Sequence, residues 1–187
     1  MSFKKIWNFI WHSDSLLSWI VNVILAFILV KFIIYPGLGL VLQTTHPVVA
    51  VVSKSMEHNS DFDAWWQENS KLYESYNINK QDFINYPMKN GFNKGDIIFL
   101  KSAKNVKIGD IIVFKGNSAN PIIHRVVKIH DNGNYQTKGD NNPDSFNELG
   151  ETNINKNEVI GKAFFRLPLL GWVKILFTDL INVFRGG

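Results

Sequence analysis

From Leu16 to Tyr35 the chain reads LLSWIVNVILAFILVKFIIY, and this run constrains everything that follows it. About 20 mostly apolar residues suffice to cross the hydrocarbon of a bilayer as a helix. A run of this length without a polar face is a poor core helix for a soluble domain. Asn22 is tolerable there, and Lys31 lies near the far end, where a long side chain reaches the headgroups. Ser13 or Ser15 is placed to cap the helix, and Pro36 and Gly37 are expected to close it. A cleaved signal peptide is the competing reading. The run is long for a signal core, however, and no clear A-x-A site follows. The expectation is an uncleaved transmembrane anchor over residues 16–35. Ahead of it, Phe3, Ile6, Trp7, Ile10 and Trp11 recur at helical spacing beside Lys4 and Lys5. That pattern predicts an interfacial amphipathic segment over residues 1–15. The two lysines favour a cytoplasmic N-terminus, which puts the rest of this single-pass chain on the extracytoplasmic side.

Past the anchor the sequence turns strand-like. Short runs rich in Ile, Val and Phe occupy residues 47–52, 95–101, 109–115, 121–130, 134–139 and 158–168, punctuated by Gly, Asn, Asp and Pro. Without helices between them, they predict an antiparallel β domain over residues 36–170. Two Gly-Asp-Ile-Ile units, at residues 95–98 and 109–112, read as hairpin-scale similarity rather than as a repeat array. Residues 60–95 break the pattern. There Asp61 or Asp63 is placed to cap a helix running to about Tyr76, with Trp65, Trp66, Leu72, Tyr73 and Tyr76 on one face. Its aromatics are read as packing on the sheet, with a flap over membrane or substrate as the alternative. Residues 171–187 are expected to form an amphipathic helix, too short to span a bilayer comfortably, that lies on the membrane or docks on the domain. The fold class is therefore mainly β, with an N-terminal transmembrane helix, a partly helical insertion and a C-terminal amphipathic helix.

Composition removes several chemistries. The chain of 187 residues has no cysteine, which excludes disulfides, a thiolate nucleophile and cysteine-bound metal. A net charge of +4 without a dense Lys/Arg block suits a membrane surface and gives no nucleic-acid footprint. No metal cluster or nucleotide loop is visible, so no cofactor is expected.

The chemistry centres on VVAVVSKSMEHNS, residues 48–60. A serine at a strand end is a turn or cap residue, or a nucleophile if a base lies beside it. His124, in the strand PIIHRVV, is a hydrogen-bonded core residue or that base. Asp140 and Asp144, in TKGDNNPDSF, are Asx-turn residues or the acid that orients the base. Together they supply serine, histidine and aspartate, an arrangement that occurs in different chain orders on unrelated folds.

SKSMEH, GDIIVFK, IIHRVVKI, TKGDNNPD and VIGKAFFRLPLLGWVKIL resemble, in that order, the motifs of signal peptidase I. The resemblance is narrower to its archaeal and endoplasmic-reticulum branch, and it covers the chain apart from roughly residues 58–93. It implies a signal-peptidase-like β domain and a membrane-bound serine endopeptidase that removes signal peptides from exported preproteins. The implied partners are those signal peptides and the lipid bilayer, and further membrane subunits are left open. By the same resemblance Ser55 is the nucleophile and His124 the general base, where bacterial-type members use a lysine. Ser53, with the Ser55 backbone N–H, then forms the oxyanion hole. The sequence departs from the branch in three places. His58 replaces the usual proline, and an ordinary exposed loop residue is expected there. The second aspartate stands at Asp144 rather than about six places beyond Asp140, where Phe146 is found, so Asp144 and Asp140 both remain candidates to orient His124. The insertion after Glu57 is the third departure.

A Ser-Lys dyad is the rival. Lys54 diverges from Ser55 if the strand persists, because successive strand residues face opposite ways. Lys138 is expected to pair with a carboxylate. Small substrate residues would sit in shallow apolar pockets with Val49, Val51, Ile122 and Ile123 as candidate walls. Two other functions compete: a membrane-anchored peptide-binding β module without catalysis, and a serine peptidase for another membrane precursor.

Overall fold

All six Ile/Val/Phe-rich runs form strands: β1 (Val48–Ala50), β2 (Ile97–Lys101), β3 (Ile111–Phe114), β4 (Ile122–Ile129), β5 (Tyr135–Lys138) and β6 (Val159–Leu167). They make one antiparallel sheet in the order β1-β2-β6-β3-β4-β5. The structure is a computed structural model that describes residues 2–173, 175 and 176. It divides into two units, Met1–Val41 and Leu42–Gly187. Residues 172, 173, 175 and 176 are helical, and the remainder of the expected C-terminal helix lies outside the described residues.

In the first unit, α1 (Phe3–His12) is joined to α2 (Leu16–Leu29), whose N-cap is Ser15. The Ser15 hydroxyl accepts the Ser18 N–H at 3.2 Å. Two polar side chains of α2 then satisfy carbonyls at the end of α1. Ser18 donates to Phe9 O at 2.5 Å, and Asn22 Nδ2 donates to Ile10 O at 2.8 Å. Asn22 is thus used within the unit, where an unpaired amide in hydrocarbon would cost several kcal/mol. Pro36 and Gly37 do not close the helix. It continues through a π-helical segment, Val30–Ile34, into α3 (Tyr35–Leu42), giving 27 continuous residues. A proline in a helix lacks an N–H and its ring meets the carbonyl four residues back. The wider turn just before Pro36 relieves that clash, and Tyr35 N–H bonds Val30 O instead.

In the second unit, β3 is apolar and buried along its whole length because both faces are covered. Ile111 and Val113 join Val51, Met56, Phe92 and Leu100 on one side, while Ile112 and Phe114 join Ile122, Val126 and Ile154 on the other. The two Gly-Asp units are not the arms of a hairpin. They start β2 and β3, which flank β6. Each aspartate accepts the backbone N–H three residues before it, Asn93 to Asp96 and Lys107 to Asp110, both at 2.8 Å. Each also pairs with a β6 cation, Asp96 with Arg166 and Asp110 with Lys162. The preceding glycines need their missing side chains. Gly95 and Gly109 have φ of +91° and +88°, and a Cβ would lie 2.1 Å from the Trp172 ring and 2.3 Å from the Tyr86 ring.

The insertion folds as α4 (Phe62–Ser75) and α5 (Lys80–Ile84). Asp61 rather than Asp63 caps α4, accepting the N–H groups of Asp63 and Ala64 at 3.0 Å each. Trp65, Trp66, Tyr73, Ile78 and Phe83 gather over Val127 of β4. Packing on the sheet is therefore what these aromatics do.

Candidate active site

Strand β1 ends at Ala50, so Ser53 and Ser55 belong to a turn and not to a strand end. The turn is closed by Glu57 N–H on Lys54 O, at 3.1 Å. It is pinned from three directions. The Met56 side chain is buried in the core, Met56 O accepts Phe92 N–H, and Ser55 O accepts Asn141 N–H at 2.8 Å. His124 comes from the middle of β4, opposite Ile112. Its Nε2 lies 2.8 Å from Ser55 Oγ, and Ser53 Oγ lies 3.1 Å from Ser55 Oγ.

The carboxylate on the far side of the imidazole is Glu151, whose Oε1 is hydrogen-bonded to His124 Nδ1. Neither aspartate expected from the sequence reaches His124. Glu151 is fully buried and its oxygens are occupied. Thr137 donates its hydroxyl to Oε1 at 3.2 Å, and Phe146 N–H donates to Oε2 at 2.9 Å. The segment is held to β5 by Thr137 N–H on Glu151 O and by a bridge between Tyr135 and Ile154. Residues 151–154 carry no strand signal of their own, so no local pattern marks Glu151.

Strand alternation sends the neighbour of His124 to the other face. Arg125 is fully buried and grips Asp140 with two bonds, Nε to Oδ1 at 2.9 Å and Nη2 to Oδ2 at 2.7 Å. Its remaining donors go to the carbonyls of Pro87, Met88 and Gly109, and its guanidinium lies 4.7 Å from the Phe83 ring centre. Asp140 also accepts Tyr73 OH at 2.9 Å and His58 Nε2–H at 3.1 Å. His58 is accordingly not an exposed loop residue. Its side chain is buried and stacks on Trp65 at 3.7 Å. Burial by itself would raise the Asp140 carboxyl, but the Arg125 charge and the bonds from His58 and Arg125 hold it far below the usual carboxylate range. Asp140 therefore ties β4, the turn after β5 and the insertion together. Asp144 is exposed and accepts Tyr76 OH at 2.8 Å and the N–H of the next residue, Ser145, at 2.7 Å.

No family model matches the chain. Individual relatives do. The SEC11 catalytic subunit of the signal peptidase complex from Scheffersomyces stipitis is 31% identical over 159 residues, covering 79% of this chain and 75% of the relative. The chain belongs to the SEC11 family of signal peptidase complex catalytic subunits. Human SEC11C is 38% identical over 102 residues, 49% of this chain and 53% of the relative. The SEC11 protein of Debaryomyces hansenii is 37% identical over 107 residues, 50% of this chain and 62% of the relative. The match thus spans about half the length of the mammalian relative. Family membership and the apolar Leu16–Leu42 helix mark a membrane protein.

Among the lysines of this SEC11 relative, Lys54 has an exposed side chain in the turn. Because β1 has already ended, strand alternation does not govern where it points. Among the described residues Lys138 pairs with no carboxylate. It is buried, donates to Gly139 O at 2.9 Å and Asp140 O at 3.3 Å, and lies 4.8 Å from the Tyr73 ring centre. Burial pulls its ammonium down to about 8.

A cleft of about 380 Å³ opens at Ser55 and His124. Ala50, Val52, Ile122, Ile123, Phe146 and Leu149 supply its apolar lining. Val49 and Val51, expected as walls, instead pack into the core, while their neighbours Ala50 and Val52 face the cleft.

Proposed function

We propose that this chain is a membrane-bound serine endopeptidase that removes signal peptides from exported preproteins. The observation that carries the reading is the serine–imidazole–carboxylate line, with Ser55 Oγ 2.8 Å from His124 Nε2 and Glu151 on Nδ1. The relatives' name, catalytic subunit of a signal peptidase complex, supplies the substrate class and the expectation of partner subunits in the membrane.

For Ser55 to donate to Nε2, the proton of the neutral ring must sit on Nδ1, where Glu151 accepts it. His124 takes the Ser55 proton as Oγ attacks the scissile carbonyl, and Glu151 stabilises the imidazolium that forms. His124 then gives that proton to the leaving amine, and a water repeats the sequence to release the acyl group. Ser53 is positioned to turn its hydroxyl from Ser55 Oγ to the developing oxyanion, beside the Ser55 N–H. Asp140 is a clamp on Arg125 and takes no part in proton transfer. The Lys4–Lys5 pair ahead of the apolar helix supports a cytoplasmic N-terminus with the β domain on the other side of the membrane.

Cleavage of a preprotein in detergent tests this. Ser55→Ala and His124→Ala each abolish it, while Lys54→Ala retains most activity. Full activity of Ser55→Ala would reject the peptidase, and loss confined to Lys54→Ala would move the base to lysine. Sequencing the product separates signal-peptide removal from processing of another precursor.

A further inference from the structure

The turn after β5 brings a carboxamide into the cleft that neither the sheet nor the proton relay uses. Asn142 lines the cleft with Ser53, Ser55 and His124. Its backbone is fixed, since Asn142 N–H bonds Gly139 O at 2.9 Å. The turn is also tied to the nucleophile's turn twice, by Asn141 N–H on Ser55 O at 2.8 Å and by Asn141 Nδ2 on Lys54 O at 3.2 Å. The side-chain amide of Asn142 makes no hydrogen bond to any of the described residues, unlike that of Asn141.

Its position depends on a glycine. A Cβ on Gly139 would stand 2.7 Å from Asn142 Nδ2 and 2.8 Å from Ser55 O. The bare Gly139 Cα is thus what lets the Asn142 amide and the Ser55 main chain converge on one spot. A peptide laid across Ser55 brings its own N–H and C=O groups into a cleft whose other lining is largely apolar. Each must find a partner there or carry an unsatisfied polar group out of water. A carboxamide offers two donors and an acceptor, the complement of a peptide unit. His124 and Ser53 are already committed to the reaction, and the other polar side chains of the cleft, Ser118 and Asn120, are exposed, which leaves Asn142 as the half-buried side chain for this task.

We propose that the Asn142 carboxamide hydrogen-bonds the main chain of the bound substrate next to the scissile bond. The proposal rests on the peptidase reading above and adds a residue that touches substrate. Because the contact is to main chain, it acts on every substrate sequence alike and sets how firmly the peptide is held.

The test uses the full chain in detergent with Ser55→Ala, which binds without cutting. The probe is a fluorescently labelled synthetic signal peptide with small residues before the cleavage point, followed by anisotropy. Adding Asn142→Ala is expected to raise Kd about tenfold, the change that one or two neutral hydrogen bonds supply. Asn142→Asp, which keeps the shape and loses the donors, should show the same loss, with melting temperatures unchanged in both. A Kd within about twofold of the parent would overturn the proposal. So would a weakened Kd that appears only with a fall in melting temperature, since that marks a structural role. If the Ser55→Ala parent itself binds no peptide, the peptidase reading fails first and this contact goes with it.

Discussion

Arg125 and Lys138 stand directly opposite each other on β4 and β5, two buried cations on one strand pair. Like charges in that position repel. The fold accommodates them by division. Arg125 pairs with both oxygens of the Asp140 carboxylate, while Lys138 is left with two carbonyls and the face of Tyr73. The Lys138 ammonium titrates near 8 as a result, chiefly through burial, whereas Arg125 stays charged.

That division makes stability depend on pH. A lysine whose folded value is about 8 releases its proton in the native state before the unfolded chain does. Between about pH 8 and the ordinary lysine value, the unfolded state binds more protons, so stability rises with pH; below about 8 this group adds no slope. The gain amounts to at most roughly 3 kcal/mol across the window. Above about pH 10 Tyr73 works the other way, because burial and the Asp140 charge raise its hydroxyl well above the usual value. Urea unfolding between pH 7.5 and 9.5 should show the rise in the native chain and a flat profile in Lys138→Met. A rise of equal size in Lys138→Met would assign it to another group.

Two carboxylates should separate cleanly by what their loss does. Glu151→Gln removes the charge that fixes the His124 tautomer and should lower kcat on the order of 10³–10⁴-fold. The amide keeps one acceptor oxygen, so it meets either the Thr137 hydroxyl or the Phe146 N–H but not both, and a stability loss of about 1–3 kcal/mol, too small to unfold the domain, should accompany the fall in kcat. An active Glu151→Gln enzyme would return the orienting role to another acid.

Asp140→Ala should instead unfold the domain. It leaves the Arg125 guanidinium buried without its counter-charge, a loss of about 3–5 kcal/mol. Thermal melts followed by Trp65 and Trp66 fluorescence would record it. Asp144→Asn, at an exposed turn, should match the native chain in both activity and stability, and a large effect there would restore Asp144 as a candidate.

Ser53→Ala is expected to cost about 2.7–4 kcal/mol of transition-state stabilisation, roughly 10²–10³ in kcat, with KM nearly unchanged. An effect on KM alone would make Ser53 a ground-state contact.

The parts of this molecule written in local pattern were legible. Each strand followed from a β-branched or aromatic run bounded by turn residues, and α4 from an aspartate cap ahead of spaced aromatics. Ser55 and His124, the two residues the motifs marked together, do meet in space. What stayed hidden depends on partners distant in sequence. Glu151 reaches His124 only because residues 151–154 come back beside β5, and an irregular returning segment has no period to detect. His58 looked like a loop residue because Trp65 and Asp140, which bury it, lie on other elements. Asp140 stood in the expected motif, yet the basic residue after His124 claimed it, since alternation puts Arg125 on the insertion's face. Pro36 gave the wrong stop because nothing in the apolar run announces a π turn.

That single widened turn also sets an azimuth. Slipping one extra residue into an α-helix rotates all that follows by about 100°. The direction in which Leu40 and Val41 point, both largely exposed, is therefore decided by a proline one turn upstream and not by their own chemistry.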